Sequence, residues 1–166
     1  MEKEFSAKAR WEKLNRAKSN ILYRARECSE LTLPAILPQE GQTEDSQLPS
    51  PYQGIGARGV NNLASKLLIA LLPPNSPFFK FEADPSQQIE GDKQTQLSAI
   101  FGEMEDAIMS EIEGQGARVQ LFNCLRSMIV TGNTLLYLNK AKRKLKVYRF
   151  DSYVVKRDPN GTVLEI

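Results

Sequence analysis

The hydrophobic pattern of the chain changes its period at Gly132, and this change constrains the fold more than any other feature. Before Gly132, apolar residues recur every three or four positions through 97–112 and 119–130, as they do on one face of a helix. After it, "NTLLYLNK", "LKVYRF", "YVVKRD" and "TVLEI" read as strands, with a turn at "DPNG". Because helices come first and strands follow as a group, the sequence predicts an α+β fold, with N-terminal helices followed by a small antiparallel strand meander.

Composition divides the chain into three regions. Residues 1–32 form an N-terminal helix, 33–53 a proline-rich arm or linker, and 54–166 the remaining helical and β-meander part. A connection as long as 33–53 is unusual inside a compact domain, so we expect it to wrap a neighbouring molecule. The last strand pattern, at 162–166, stops without a capping turn. We interpret this as the front part of a longer protein or as a strand that completes a sheet elsewhere.

Local patterns predict individual elements within these regions. A helix is expected from Ser6 to about Cys28, with one buried stripe at three-four spacing that consists of Trp11, Leu14, Lys18, Ile21, Ala25 and Cys28. A second helix is expected over 60–72, where prolines end it, and "FFKFEAD" has the alternation of a short strand.

The chain contains no histidine, which excludes Ser-His-Asp and Cys-His catalysis and removes the commonest transition-metal ligand. Its two cysteines, Cys28 and Cys124, lie far apart in helical patterns and are expected to be small buried apolar residues. The carboxylates of Glu103 and Glu105 point to different sides of one helix and do not converge on a metal. The longest apolar run, 67–72, is far too short for a membrane span. We therefore expect no enzyme activity, cofactor, metal or membrane.

The run "GIGARG" at 54–59 matches the glycine pattern of a dinucleotide-binding turn. Such a turn needs a buried strand directly before the first glycine, and here "LPSPYQ" precedes it, where two prolines exclude a central strand. We interpret the glycines as structural, since a small residue at the start of a helix lets another backbone approach closely.

Charge is unevenly distributed, with an acidic stretch over 81–113 and a basic one over 140–157. The candidate contacts to DNA phosphates or to another subunit are Lys140, Lys142, Arg143, Lys144, Lys146 and Arg149, and the candidate acidic face consists of Glu103, Asp106, Glu111 and Glu113. If the basic run is a hairpin, its tip presents cations to phosphates. The alternative is a solvated turn whose lysines protect a sheet edge. A small independent nucleic-acid-binding protein that uses residues 140–149 remains a second hypothesis.

Several long strings together resemble the head-to-tail connector, or portal, proteins of short-tailed bacteriophages. They are "YRARECSELTLPAILP", "YQGIGARGVNNLASKLLIALLPPN", "RVQLFNCLRSMIVTGNTLLYL" and "YRFDSYVVKRDPNGTVLEI", in this order and at this spacing. Members of that family are much longer, so the chain resembles about their first third, the start of the outer wing domain. The channel-lining parts of the family lie mostly in later sequence.

The resemblance implies a structural subunit without catalytic residues. It implies a ring, generally twelve-fold, at one capsid vertex, the head–tail junction of the virion, assembled in the host cytoplasm. Double-stranded DNA passes through such a ring during packaging and ejection. The implied partners are further copies of the chain, the terminase, and the major capsid, scaffolding and tail proteins. A ring needs two different faces that meet, which the acidic and basic stretches are expected to supply across subunits.

Overall fold

The computed structural model describes residues 6–42, 46–74, 76–83 and 91–166. The described helices are α1 (Ala7–Ala17), α2 (Ser19–Leu31), α3 (Ile55–Leu71), α4 (Gly91–Gly114) and α5 (Ala117–Thr131). They are followed by strands β1 (Leu135–Asn139), β2 (Lys144–Tyr148), β3 (Lys156–Arg157) and β4 (Val163–Glu165), with a 3₁₀ turn at Phe150–Ser152. The predicted α+β order of helices before strands is confirmed.

Helix α5 occupies the centre of the described structure. It packs against α2, α3, α4 and strand β2, so most of the other elements are held together through it. Gly116 precedes it with φ 65° and Gly132 follows it with φ 72°, conformations that glycine adopts without a steric cost. The predicted helix ends at Gly114 and Gly132 are confirmed, since α4 ends at Gly114 and the left-handed Gly132 directly follows the last residue of α5.

The single N-terminal helix predicted from Ser6 to Cys28 is two helices that meet at Lys18. The predicted stripe is largely wrong, since Trp11 and Ile21 are 44% and 52% exposed and Cys28 is exposed. Ala25 and Ser29 are buried instead. The residue spacing correctly predicts the helical period. Which side of the helix faces the core is decided by the long-range contacts of α2 with α5.

Residues 33–42 of the proline-rich arm fold back on α2 of the same chain. The buried Ser29 hydroxyl donates to the Leu33 carbonyl at 2.9 Å and accepts from the Leu37 amide at 3.0 Å. Leu37 is buried against Ala25 and Phe150, and burying such a side chain contributes about 1.5–3 kcal/mol. This half of the arm therefore belongs to the core of its own chain. Residues 43–45 of the arm lie outside the described residues.

The glycine-rich run begins α3, and Gly56 is where another backbone approaches. A Cβ atom at this position would lie 2.8 Å from the Leu31 carbonyl oxygen. Only glycine fits between the end of α2 and the start of α3 without displacement. The structural interpretation of "GIGARG" is thus confirmed at one of its three glycines, since Gly54 and Gly59 have open space at the Cβ position.

The strands form two separate two-stranded sheets rather than one continuous meander. Strand β1 pairs with β2 in antiparallel register, with Leu136 opposite Val147 and Leu138 opposite Leu145. Strand β3 pairs with β4 across the predicted "DPNG" turn, which is closed by the Gly161 amide donating to the Asp158 carbonyl at 3.0 Å. The 3₁₀ turn at Phe150–Ser152 interrupts the ladder between the two sheets.

The short strand predicted at "FFKFEAD" is wrong for its described part, residues 78–83, which has no strand structure. The Phe79 ring instead packs edge to face with the rings of Phe78 and Phe81, with centroids 5.1 and 5.5 Å apart. The Phe81 amide donates to the Glu105 carboxylate of α4 at 2.6 Å. Contacts with the helix thus take the place of a strand partner.

Candidate functional site

The basic residues predicted as a hairpin do form one. Strands β1 and β2 are joined by residues 140–143, and the Lys142 amide donates to the Asn139 side chain at 3.1 Å to close the turn. Arg143 adopts a left-handed conformation with φ 49°, which sharpens the tip. All six candidate basic residues are exposed, in agreement with a surface that a polyanion can reach: Lys140, Lys142, Arg143, Lys144, Lys146 and Arg149.

One face of the hairpin combines aromatic rings with cations. Tyr137 lies opposite Lys146 and diagonal to Tyr148, and the two tyrosine rings are 6.4 Å apart. The Lys146 ammonium lies 4.7 Å from the centre of the Tyr148 ring, within the range of a cation–π contact. The face therefore offers both positive charge and flat apolar surface.

The acidic residues predicted as a face all lie exposed on α4, but the structure divides them into two groups. Near the end of the helix, Glu111 pairs with Arg143 of the hairpin at 3.5 Å and Glu113 pairs with Arg118 at 3.2 Å. The carboxylates of Glu103 and Asp106 make no ion pair or hydrogen bond with any other described residue. The acidic and basic stretches thus meet within one chain at the hairpin tip, and only the earlier part of α4 presents unengaged carboxylates. Residues 84–90 of the acidic stretch lie outside the described residues.

Lys18 anchors the end of the hairpin to the N-terminal helices. Its ammonium donates to the carbonyl of Phe150 at 2.8 Å and to that of Tyr153, and it lies 5.0 Å from the centre of the Phe150 ring. Burial lowers the pKa of Lys18, although the nearby Asp151 carboxylate opposes this shift. Burial raises the pKa of Tyr153. A cation thus joins residues 132 positions apart in the sequence.

Asp151 completes this anchor. Burial alone would raise the pKa of its carboxyl, but the hydrogen bonds and positive charge of Arg149 outweigh burial and lower the pKa overall. The carboxylate therefore stays ionised and balances the cations around the 3₁₀ turn.

Arg118 plays a similar joining role at the end of α3. Its guanidinium donates to the Leu72 carbonyl at 2.7 Å and to the Pro73 carbonyl at 3.1 Å. Carbonyls at a helix C-terminus lack partners within the helix and attract positive charge. Arg118 thereby fixes α3 to the first turn of α5.

Lys18 and Arg118 were not among the sequence-predicted site residues. Lys18 could have been found from the sequence, because it is a lysine within an otherwise apolar helical stripe. Arg118 carries no comparable signal, because the carbonyls that it binds are 45 and 46 positions away. Both residues hold the surfaces in place and do not themselves form an interaction site.

The described part of the chain contains no cluster of three or more His, Cys, Asp or Glu side chains able to hold a metal ion. Cys28 and Cys124 are free thiols. In the ranges that the structure describes, no helix is both long and apolar enough to cross a bilayer. The described surface carries exposed charged residues on the β1–β2 hairpin and on α4, and exposed apolar side chains on the helices.

Comparison with known proteins gives the particular family. Residues 5–166 match the model of the bacteriophage head to tail connecting protein family, and the chain belongs to that family. It is 39% identical to the portal protein of Enterobacteria phage T3 and 35% identical to that of Escherichia phage T7, each over 98% of this chain and 32% of the relative. It is 34% identical to the portal protein of Enterobacteria phage SP6 over 94% of this chain and 30% of that relative. The chain thus spans about a third of the length of these relatives, and the predicted resemblance to portal proteins is confirmed.

Proposed function

We propose that this chain is part of the subunit of a portal ring at one vertex of a phage capsid, where it joins head to tail and surrounds the path of double-stranded DNA during packaging and ejection. The observation that carries the proposal is the family match over residues 5–166. The role is structural and not catalytic. The ring lies at the head–tail junction of the virion after assembly in the host cytoplasm. Its partners are about eleven further copies, the terminase, and the major capsid, scaffolding and tail proteins.

The exposed apolar surface supports a role in assembly. Ile21, Leu31, Ile55, Ile69 and Ile100 are each more than half exposed, although a soluble domain normally buries such side chains. Large exposed apolar patches are typical of surfaces that bind other macromolecules.

A test of the location uses virions in which the protein carries a short epitope, labelled with gold-conjugated antibody and imaged by electron microscopy. Tail-detached heads with one labelled vertex each are the expected result. Label spread over many vertices, or absent from virions, would overturn the proposal. Virions that carry the same epitope on the major capsid protein are the control, because they show the labelling pattern expected for label at many vertices.

The basic hairpin is proposed to contact DNA phosphates or an adjacent subunit through Lys140, Lys142, Lys144 and Lys146, with Arg143 and Arg149 beside them. The support is their exposure at and beside the turn of the hairpin. A conduit has to let DNA slide, so binding by the isolated protein should be weak, and steeply salt-dependent where it occurs.

The second candidate function, an independent nucleic-acid-binding protein, is favoured by the pairing of Lys146 with the Tyr148 ring on the hairpin face. Reversing Lys142 and Lys144 to glutamate separates the two candidates. The control reverses Arg58 and Lys66, which are exposed on α3. An independent binder would bind DNA tightly as a monomer and would lose that affinity only in the hairpin variant. A ring subunit is expected to show weak monomer binding in both.

The part of the arm at 46–53 is proposed to contact a neighbouring subunit, since Tyr52 is fully exposed whereas residues 33–42 lie on their own chain. Limited proteolysis compares rings with dissociated subunits. Slower cleavage within 46–53 in rings is expected, and equal cleavage rates would refute the contact.

A further inference from the structure

The two faces of the β1–β2 hairpin differ in chemistry. Side chains alternate along a strand, and residues directly opposite each other in an antiparallel pair share a face. One face is therefore entirely apolar and consists of Leu136, Leu138, Leu145 and Val147. The other face combines tyrosine and lysine side chains with one leucine and one asparagine, and it consists of Leu135, Tyr137, Asn139, Lys144, Lys146 and Tyr148. We call this second face the tyrosine–lysine face.

Tyr137 presents the accessible aromatic ring of the tyrosine–lysine face. It is 49% exposed, whereas Tyr148 is partly buried. The two rings meet at 63° with 6.4 Å between their centroids, so Tyr148 supports Tyr137 while about half of the Tyr137 side chain stays open to solvent. An exposed aromatic ring is a platform on which a second flat ring can stack.

Lysines place positive charge beside this ring. Lys146 lies directly opposite Tyr137 in the strand pair, and its ammonium lies 4.7 Å from the centre of the Tyr148 ring. This cation–π contact restrains the Lys146 side chain without neutralising its charge. Lys144 is exposed two residues earlier on the same strand and therefore on the same face. The face thus offers a flat ring with cations at adjoining positions.

The tyrosine–lysine face contains no carboxylate. Asp151, which follows the hairpin, is bound to Arg149, and Glu111 of α4 is bound to Arg143 at the hairpin tip. Both carboxylates therefore balance arginines of their own chain. Lys144 and Lys146 make no ion pair with any described residue, so their charge is available to attract a polyanion.

An open cleft at the base of the hairpin extends this surface. It has a volume of about 390 Å³ and is lined by Lys146, Val147, Tyr148, Arg149, Asp151 and Ser152. Because Lys146 and Tyr148 belong both to the cleft and to the tyrosine–lysine face, the two surfaces are continuous. An extended molecule that lies on the face therefore has room to continue past Tyr148.

We propose that the tyrosine–lysine face binds an unpaired DNA strand, with a base stacked on Tyr137 and the adjoining phosphates beside Lys144 and Lys146. This inference rests on the proposed contact between the hairpin and DNA, and it names the form of DNA that the hairpin recognises. Bases inside a duplex stack on one another, whereas each nucleotide of a single strand offers a flat ring next to a phosphate. An acidic protein surface would engage the lysines without making use of the exposed ring.

A comparison of an intact strand with an abasic strand separates stacking from charge. Full-length rings, whose assembly is checked by their mass, are titrated at low salt into a fluorescein-labelled thymidine oligonucleotide and, separately, into an abasic oligonucleotide with the same number of phosphates. Fluorescence anisotropy reports the affinity. The intact strand should bind about fivefold or more tightly, because stacking of bases on aromatic side chains is favourable for any base. Equal affinities for the two strands would overturn the proposal and leave a contact to phosphates alone.

Substitutions of Tyr137 assign the preference to its ring. Tyr137→Leu should bring the affinities for the two strands together, whereas Tyr137→Phe keeps an aromatic ring and should keep the preference for the intact strand. Tyr23→Leu is the matched control, since Tyr23 is 64% exposed on α2, and it should change neither affinity. A preference that persists in Tyr137→Leu would overturn the assignment.

A lysine substitution tests the charged part of the face. Lys146→Gln should weaken binding to both strands alike and reduce the slope of log affinity against log salt by about 0.7, the value for one phosphate contact on a single strand. Lys66→Gln, on the exposed side of α3, is the control and should leave the slope unchanged.

The same titrations distinguish failure of this inference from failure of the proposed ring. Intact rings that bind neither strand at low salt would overturn the DNA contact of the hairpin and leave the ring standing, with an acidic protein surface as the partner of the lysines. Monomers that prefer the intact strand would support the tyrosine–lysine face and overturn the ring.

Discussion

Replacing Lys18 by methionine tests the contact that joins the N-terminal helices to the strand region. Methionine keeps a long apolar side chain but removes the ammonium that donates to the carbonyls of Phe150 and Tyr153. Those two carbonyls, on either side of Asp151 and Ser152, then lose their donor. The side chain at position 18 then no longer connects the N-terminal helices to Phe150, which lies 132 positions later in the sequence.

The expected loss follows from the two hydrogen bonds and their surroundings. Hydrogen bonds to a charged group contribute about 1.5–3 kcal/mol each, so two give roughly 3–6 kcal/mol. Lys18 is only half-buried, so water can replace part of the lost hydrogen bonding. Removing the ammonium also removes the cost of burying its charge, and this desolvation is what lowers the pKa of Lys18. We therefore expect a net loss of about 2–3 kcal/mol in the free energy of unfolding, which lowers Tm by about 4–12 °C for a chain of this length.

Urea unfolding of the 166-residue chain, followed by the fluorescence of its single tryptophan, Trp11, measures this difference. Lys13→Met is the matched control, since Lys13 is exposed on the same pair of helices, and it should change stability by less than about 0.5 kcal/mol. If Lys18→Met were as stable as Lys13→Met, the reasoning about a buried anchoring cation would be refuted.

The pH dependence gives an independent check on Lys18. Because its pKa is lowered from 10.5 in the folded chain, the unfolded chain binds more protons at pH values between the folded pKa and 10.5. The stability of the natural chain relative to Lys18→Met should therefore rise with pH through that window. If this difference in stability stayed constant or fell as the pH rose, the claim that the Lys18 ammonium is desolvated in the folded chain would be wrong.

Four further substitutions test other positions. Gly56→Ala should destabilise the chain by about 1–3 kcal/mol because its Cβ meets the Leu31 carbonyl at 2.8 Å, whereas Gly59→Ala, with open space around it, should stabilise the helix by about 0.5–1 kcal/mol; equal urea midpoints would refute this. Arg118→Met should lower the free energy of unfolding by about 1–3 kcal/mol and therefore lower the urea midpoint. An unchanged midpoint would show that the carbonyls at the end of α3 need no donor. Since the pKa of Asp151 is lowered from 3.8, its stabilisation should be lost as the pH falls through the folded pKa; Asp151→Asn should lack this acid-dependent loss, and identical acid titrations would contradict the shift.

The sequence was informative where the local pattern alone decides the structure. Gly132 ends α5 with φ 72° because only a residue without Cβ adopts this conformation easily. The turn at 158–161 and the basic hairpin follow from equally local chemistry, and their positions were predicted. The exposure of the basic candidate residues follows from the same hairpin.

The errors occurred where distant contacts decide. Cys28 fits a helical stripe, but the packing of α2 on α5 turns Ala25 and Ser29 inward instead. The aromatic residues around Phe79 alternate like a strand, yet no strand partner lies beside them in the described chain, and they pack on α4. The pairing of Arg143 with Glu111 within one chain likewise depends on how α4 and the hairpin are brought together through α5.

The most direct test of the central claim is the mass of the native particle formed by the full-length protein. Native mass spectrometry at assembly concentrations should give one dominant species whose mass is a whole multiple of the subunit mass, near twelve-fold. Monomers, or a continuous series of growing oligomers without a closed species, would contradict the account of this chain as part of a portal ring.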